Sequence, residues 1–305
     1  MPTTHPADRL LEAIERAGSP ACVGLDPVVE RIPKAVAAVA GSPVDAIERF
    51  SRELIEAVTG VVPCVKPQSA CFERFGSAGV AALERVVAHA DCNGLEVILD
   101  AKRGDIGVSA EHYAEAAFAG ASDWVTINAY LGDDGIRPFL RADRGAFALV
   151  RTSNPGGDQL QTARLADGRA VADLVAGMIA RLGENALGAH GYSALGAVVG
   201  ATKAEDALRL RALMPRQIFL VPGFGAQGAG VAEAMSCFNA DGRGAIVNAS
   251  RAVIHAFDAA DPRWMESVRA AAVAFHAALR GGVETLRRAG SVATGAEAGA
   301  EGVGR

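Results

Sequence analysis

Three ionisable residues, Asp100, Lys102 and Asp105, stand close together in the stretch EVILDAKRGDIGVS, residues 96–109. The apolar run Val97, Ile98 and Leu99 follows the turn signal Asn93-Gly94, which predicts a buried strand with a charged, exposed end. Strand side chains two positions apart share a face, so Asp100 and Lys102 are placed to touch. A carboxylate keeps a neighbouring ammonium charged, and Asp105 adds to that effect if it folds back or arrives from a partner subunit. Two other readings fit the same letters: a structural salt bridge at a strand end, and Mg²⁺ held by Asp100 and Asp105. Against the second, Lys102 competes for the same negative charge.

Such a cluster needs a frame, and the chain carries eight candidate strands: ACVGLD (21–26), PCVKPQ (63–68), EVILDAK (96–102), WVTINAY (124–130), AFALVRTS (146–153), LGAVVGAT (195–202), IFLVPGFG (218–225) and GAIVNAS (244–250). Amphipathic helical patterns fill the spaces between them, and an opening helix runs from about Ala7 to Ala17. Eight β/α repeats predict a single-domain (β/α)₈ TIM barrel over residues 1–288, with an open doubly wound sheet as the competing architecture. A barrel concentrates function at the C-terminal ends of its strands. The polar residues fall there: Asp26, Lys66, Asp100, Lys102, Asn128, Ser153, Gly223 to Gly228, and Asn248 to Arg251. The long link after Ser153, NPGGDQLQTARLADGRAV, reads as an active-site lid or an oligomer arm. The last helix is expected over Pro262 to Arg288, and residues 289–305, small and polar, as a disordered tail.

Composition removes several classes of function. The chain has 305 residues, 50% of them hydrophobic, with a formal net charge of −5 and no basic run, so a nucleic-acid footprint is missing. Its five cysteines form no CxxC pair or zinc-like cluster, so they read as reduced thiols. No apolar run approaches the ~18 residues of a membrane span, and no signal-peptide pattern opens the chain. The expected location is the cytoplasm, where the sequon Asn248-Ala249-Ser250 and the tripeptide Arg103-Gly104-Asp105 carry no extracellular meaning.

Gly223-Phe224-Gly225-Ala226-Gln227-Gly228 fits GxGxxG, but it follows the seventh strand and lacks the downstream acid of a dinucleotide fingerprint. After strand seven of a barrel, bare backbone N–H groups suit a phosphate, and Arg251 just past strand eight can add a bidentate contact. A loop needed only for tight turning is the alternative. Lys66, at a buried strand end, calls for a carboxylate, and Asp100 on the adjacent strand is the obvious one. Asp26 could accept a sugar hydroxyl or cap the next segment. Ser153 could read a polar ring edge or simply begin the Asn154-Pro155 turn.

These letters resemble the orotidine 5′-phosphate decarboxylase family, particularly its longer bacterial (type 2) group. The likeness spans nearly the whole barrel, through Gly24-Leu25-Asp26-Pro27, Val65-Lys66-Pro67, DAKRGDI, Ser153-Asn154-Pro155, PGFGAQG and NASR. It implies cofactor-free, metal-free conversion of orotidine 5′-monophosphate to UMP and CO₂ in pyrimidine biosynthesis, by a homodimer that involves neither nucleic acid nor membrane. It also implies an array of Lys66, Asp100, Lys102 and Asp105, with Asp105 delivered into the neighbouring subunit's site and Lys102 protonating C6. Asp26 and Ser109 would contact the ribose and Ser153 the pyrimidine edge. Gly223, Gly225, Gln227, Gly228 and Arg251 would hold the phosphate. The chain departs from shorter family members by Ser109 in place of Thr and by NASR in place of a GR ending. A metal-dependent keto-gulonate phosphate decarboxylase and a noncatalytic phosphate-binding barrel are the competing functions.

Overall fold

A computed structural model of the chain describes residues 4–200, 204–225 and 230–301, with side chains as far as Ser291. Eight strands close into a parallel barrel: β1 Ala21–Leu25, β2 Cys64–Pro67, β3 Glu96–Arg103, β4 Trp124–Ile127, β5 Gly145–Arg151, β6 Ser193–Val199, β7 Gln217–Val221 and β8 Ala245–Ala249. They follow one another in order around the ring, and β8 pairs with β1 through Ala21↔Val247, Cys22↔Asn248 and Val23↔Ala249. The sequence-predicted TIM barrel is therefore the architecture of the chain, and the open sheet is not.

The two-residue period of the strands decides where the cores lie. Val23, Val65, Val97, Val125 and Val247 face outward and join the core under the surrounding helices. Cys22, Cys64, Ile98, Trp124, Phe147 and Ile246 face inward and fill the lower barrel. The helix Pro6–Ala17 closes that lower end by burying Leu10 and Leu11 against the inward set, each burial contributing ~1.5–3 kcal/mol. Gly145 makes room for the packing: a Cβ there would come within 2.3 Å of the Trp124 ring.

Local boundaries differ from the pattern in a few places. The sixth strand starts at Ser193 and ends at Val199, two residues earlier than expected at the front and three at the back, where 201–203 lie outside the described residues. Two 3₁₀ turns, Ala129–Leu131 and Arg137–Phe139, replace a helix between β4 and β5. The final helix runs Trp264–Glu301, beyond the Arg288 boundary. Of the tail expected to be disordered over 289–305, the side chains after Ser291 and residues 302–305 lie outside the described residues.

Candidate active site

At the upper, C-terminal end of the barrel the inward-facing positions turn from apolar to polar. One step above Cys64 is Lys66, above Ile98 is Asp100, and above Trp124 is Thr126, all three buried. Asp100 is the centre. Its Oδ2 receives the Lys66 ammonium at 2.6 Å and the Gln68 amide at 3.1 Å, and its Oδ1 receives the Lys102 ammonium at 2.6 Å and the Thr126 hydroxyl at 2.8 Å. Four donors thus meet one carboxylate, the arrangement that holds an acid ionised inside a protein. Burial opposes ionisation of Asp100, but the charges of Lys66 and then Lys102 outweigh it and hold the carboxyl well below the usual range. Burial likewise works against the Lys66 ammonium, yet Asp100, with a smaller contribution from Asp26, keeps its pKa above that of a free lysine. Because both Asp100 oxygens already accept cationic or neutral donors, a divalent cation would have to displace that set.

Lys102 is presented by distorted backbone. The β3–β4 register shifts between Leu99 and Arg103, and within this bulge Lys102 adopts φ 47°. It is the one non-glycine residue of positive φ among the described residues. Left-handed backbone at such a residue costs ~1–3 kcal/mol and persists only where the surroundings enforce it. The Lys102 side chain is nearly half exposed, while that of Lys66 is buried.

The other expected site residues divide into two groups. Asp26 is half-buried at the end of β1, its Oδ1 closed to solvent with no protein partner among the described residues, and its charge is felt by Lys66. Ser153 is half-buried against Gly200, where an added Cβ would lie 3.1 Å from it. Gly223 (φ 97°) and Gly225 (φ 73°) take left-handed backbone that other residues rarely adopt, and Gly225 packs toward Ala252, beside the exposed Arg251. Gln227 and Gly228 lie outside the described residues. Asp105 and Ser109, by contrast, stand apart from the Asp100 cluster. Asp105 Oδ1 accepts the backbone N–H of Ile106 at 2.8 Å, and Ser109 is exposed in the first turn of the helix Gly107–Phe118. Around them Ile106, Val108, Tyr130 and Leu131 expose large apolar side chains, Tyr130 to 74%.

Sequence reasoning did not find Thr126, Gln68 or Arg151. Thr126 and Gln68 had a signal in their strand period, since each lies two residues beyond an inward-facing position. Arg151 reads only as a lone charge at the end of β5. It is 3% exposed and wires the following segment together: its Nε donates to Asp206 at 2.9 Å, its Nη2 to Asp158, and its Nη1 to Gln161 at 3.2 Å. Gln161 in turn holds the Thr152 N–H at 2.9 Å, next to Ser153.

The sequence model of the orotidine 5′-phosphate decarboxylase / HUMPS family matches residues 19–263, which hold all eight strands. The chain belongs to that family. Among similar proteins, the orotidine 5′-phosphate decarboxylase of Rhodopirellula baltica is 42% identical over 299 residues, covering 90% of this chain and 99% of that protein. The Clostridium novyi enzyme of the same name is 41% identical over 256 residues, or 82% of this chain and 88% of that one. The solved structure of Leishmania donovani OMP decarboxylase superposes with a TM-score of 0.75 at 33% identity, covering 93% of this chain and 99% of that one. The cluster around Asp100 lies at the C-terminal end of the strands, the end where TIM-barrel enzymes carry their active sites.

Proposed function

We propose that the chain is an orotidine 5′-phosphate decarboxylase, converting orotidine 5′-monophosphate to UMP and CO₂ without a cofactor, as the last step in making this pyrimidine nucleotide. The observation that carries the reading is Asp100 clamped between Lys66 and Lys102 at the open end of the barrel. Loss of CO₂ breaks the bond from C6 to the carboxyl carbon and leaves the electron pair on C6. No electron sink exists in the pyrimidine for that pair, so fixed charges must stabilise it. The Lys102 ammonium, exposed toward the substrate side, stabilises the developing carbanion and donates its proton to C6. Asp100 faces the departing carboxylate and orients both lysines, and the buried Lys66 keeps Asp100 ionised.

The remaining residues divide the nucleotide among them. Asp26, with an oxygen lacking a protein partner, suits a ribose hydroxyl. Ser153 suits the pyrimidine edge. The loop from Gly223 to Gly228, together with Arg251, suits the phosphate, whose binding energy is available to close the site. Asp105 and Ser109 are read as serving the neighbouring subunit's site in a homodimer. In support, both lie outside their own cluster and are ringed by exposed Ile106, Val108, Tyr130 and Leu131. No helix among the described residues is long and apolar enough to cross a membrane, and the proposed setting is the cytoplasm. The test is spectrophotometric: the absorbance of orotidine 5′-monophosphate falls on conversion to UMP, with and without EDTA. Conversion that survives chelation supports the proposal. No conversion, or loss of activity with EDTA, contradicts it.

A further inference from the structure

Thr126 lies in the middle of β4, 1% exposed, and its single hydroxyl makes two bonds of opposite sense. It donates to Asp100 Oδ1 at 2.8 Å and accepts the backbone N–H of Lys102 at 3.0 Å. A hydroxyl has one proton and two lone pairs, so both bonds are available at once and the proton has one destination. The acceptor bond falls on the residue whose φ of 47° is the exception among the described non-glycine residues. The donor bond falls on the same carboxylate oxygen that receives the Lys102 ammonium. One side chain therefore touches both ends of the Lys102 unit, its backbone and its counter-ion.

We infer that Thr126 is a positioning residue for Lys102: its hydroxyl pins the left-handed backbone from which Lys102 projects and fixes the Asp100 oxygen toward which the ammonium points. The inference rests on the proposed decarboxylase reading and extends it to the proton-transfer step. When the Lys102 N–H bond breaks and the proton passes to C6, the ammonium becomes a neutral amine and its ion pair with Asp100 weakens. Asp100 Oδ1 then keeps Thr126, and Oδ2 keeps Lys66 and Gln68. The carboxylate stays in place through the step, and the amine regains its proton from solvent in a site that has not relaxed. Without the hydroxyl, the bulge at Lys102 and the carboxylate rotamer are each free to shift, and sub-ångström placement of an acid is worth large factors in rate.

The test compares Thr126→Val, which keeps the shape and removes the hydroxyl, with Thr126→Ser, which keeps the hydroxyl. Three quantities are measured: kcat and KM for orotidine 5′-monophosphate, the affinity for UMP, and exchange of the UMP C6 hydrogen in D₂O. That exchange needs only proton transfer between C6 and its acid. Thr126→Val is expected to lower kcat about 10- to 100-fold, the loss of hydrogen bonding to a charged group. It should slow exchange by a similar factor while binding UMP as the wild type does, and Thr126→Ser should restore most of both. If Thr126→Val does not fold, Thr126→Ala carries the same expectation. A hydroxyl-free variant with wild-type kcat overturns the inference. So does a loss matched by equal loss of UMP affinity, or a serine variant as poor as valine. Lys102→Ala separates the two levels: if it still turns over, the reading of the site fails. If it is inactive while Thr126→Val is normal, only the role of Thr126 fails.

Discussion

Lys66 and Asp100 form an ion pair of 2.6 Å on adjacent strands, with side chains only 6% and 9% exposed. A pair so enclosed leaves a costly lone charge when either member is removed. Lys66→Ala is expected to destabilise the fold by ~3–5 kcal/mol, as breaking buried pairs does elsewhere, and chemical denaturation at neutral pH measures it. A loss under ~1 kcal/mol, the range of exposed pairs, would show that water reaches the pair.

The same pair predicts the pH dependence of stability. The folded pKa of Asp100 is depressed, so its contribution is present above the unfolded value of ~3.9 and is lost as pH falls through the folded value. The folded pKa of Lys66 is raised, so its contribution is full below the unfolded value of ~10.4 and is lost as pH rises through the folded value. The pair therefore contributes a plateau between about pH 5 and pH 10. Subtracting the Lys66→Ala stability curve from that of the wild type should reveal this plateau, and a difference that slopes steeply through pH 7 would contradict it.

How much of this was legible in sequence follows from where the information lies. The barrel was, because each strand writes its own apolar run and each helix its own period, and eight repeats point to a barrel; the β8–β1 pairing that closes it and rules out an open sheet came from the structure. Lys66, Asp100 and Lys102 were, because strand ends in a barrel converge on one face. Thr126 was legible only as an inward-facing position by its strand period; its role was not, since a threonine in WVTINAY reads as an ordinary β-branched strand residue until Asp100 is known to lie beside it. Nor was the bulge at Lys102, which depends on the register between β3 and β4 and leaves no glycine to mark it. Arg151 escaped for a related reason: its partners Asp158 and Asp206 lie on either side of a strand that intervenes in the chain.

Arg151 fixes the segment that follows Ser153 by contacts with Asp158, Gln161 and Asp206. Arg151→Met should cost about 2–4 kcal/mol, as expected for losing several charge-assisted hydrogen bonds at once. It should also raise KM for orotidine 5′-monophosphate more than it lowers kcat, because in the proposed reading Ser153 contacts the pyrimidine edge and not the migrating proton. Steady-state kinetics decide, and a fall in kcat with unchanged KM would contradict this role.

The apolar collar of Ile106, Val108, Tyr130 and Leu131 predicts a subunit contact beside Asp105. Ile106→Glu should shift the chain to monomer in sedimentation and make activity depend on protein concentration. Lys102→Ala and Asp105→Ala proteins, each inactive, should regain activity when mixed as confirmed heterodimers, since one of the two sites then holds an intact Lys102 and the other chain's intact Asp105. Heterodimers without activity would show that Asp105 acts within its own chain.

The claim on which the rest depends is that Lys102 delivers the proton to C6. Its most direct measurement is CO₂ release from orotidine 5′-monophosphate by Lys102→Ala, alongside UMP binding to the same protein by calorimetry. The predicted result is loss of CO₂ release with UMP still bound at the barrel mouth. Near-normal turnover by Lys102→Ala would contradict it.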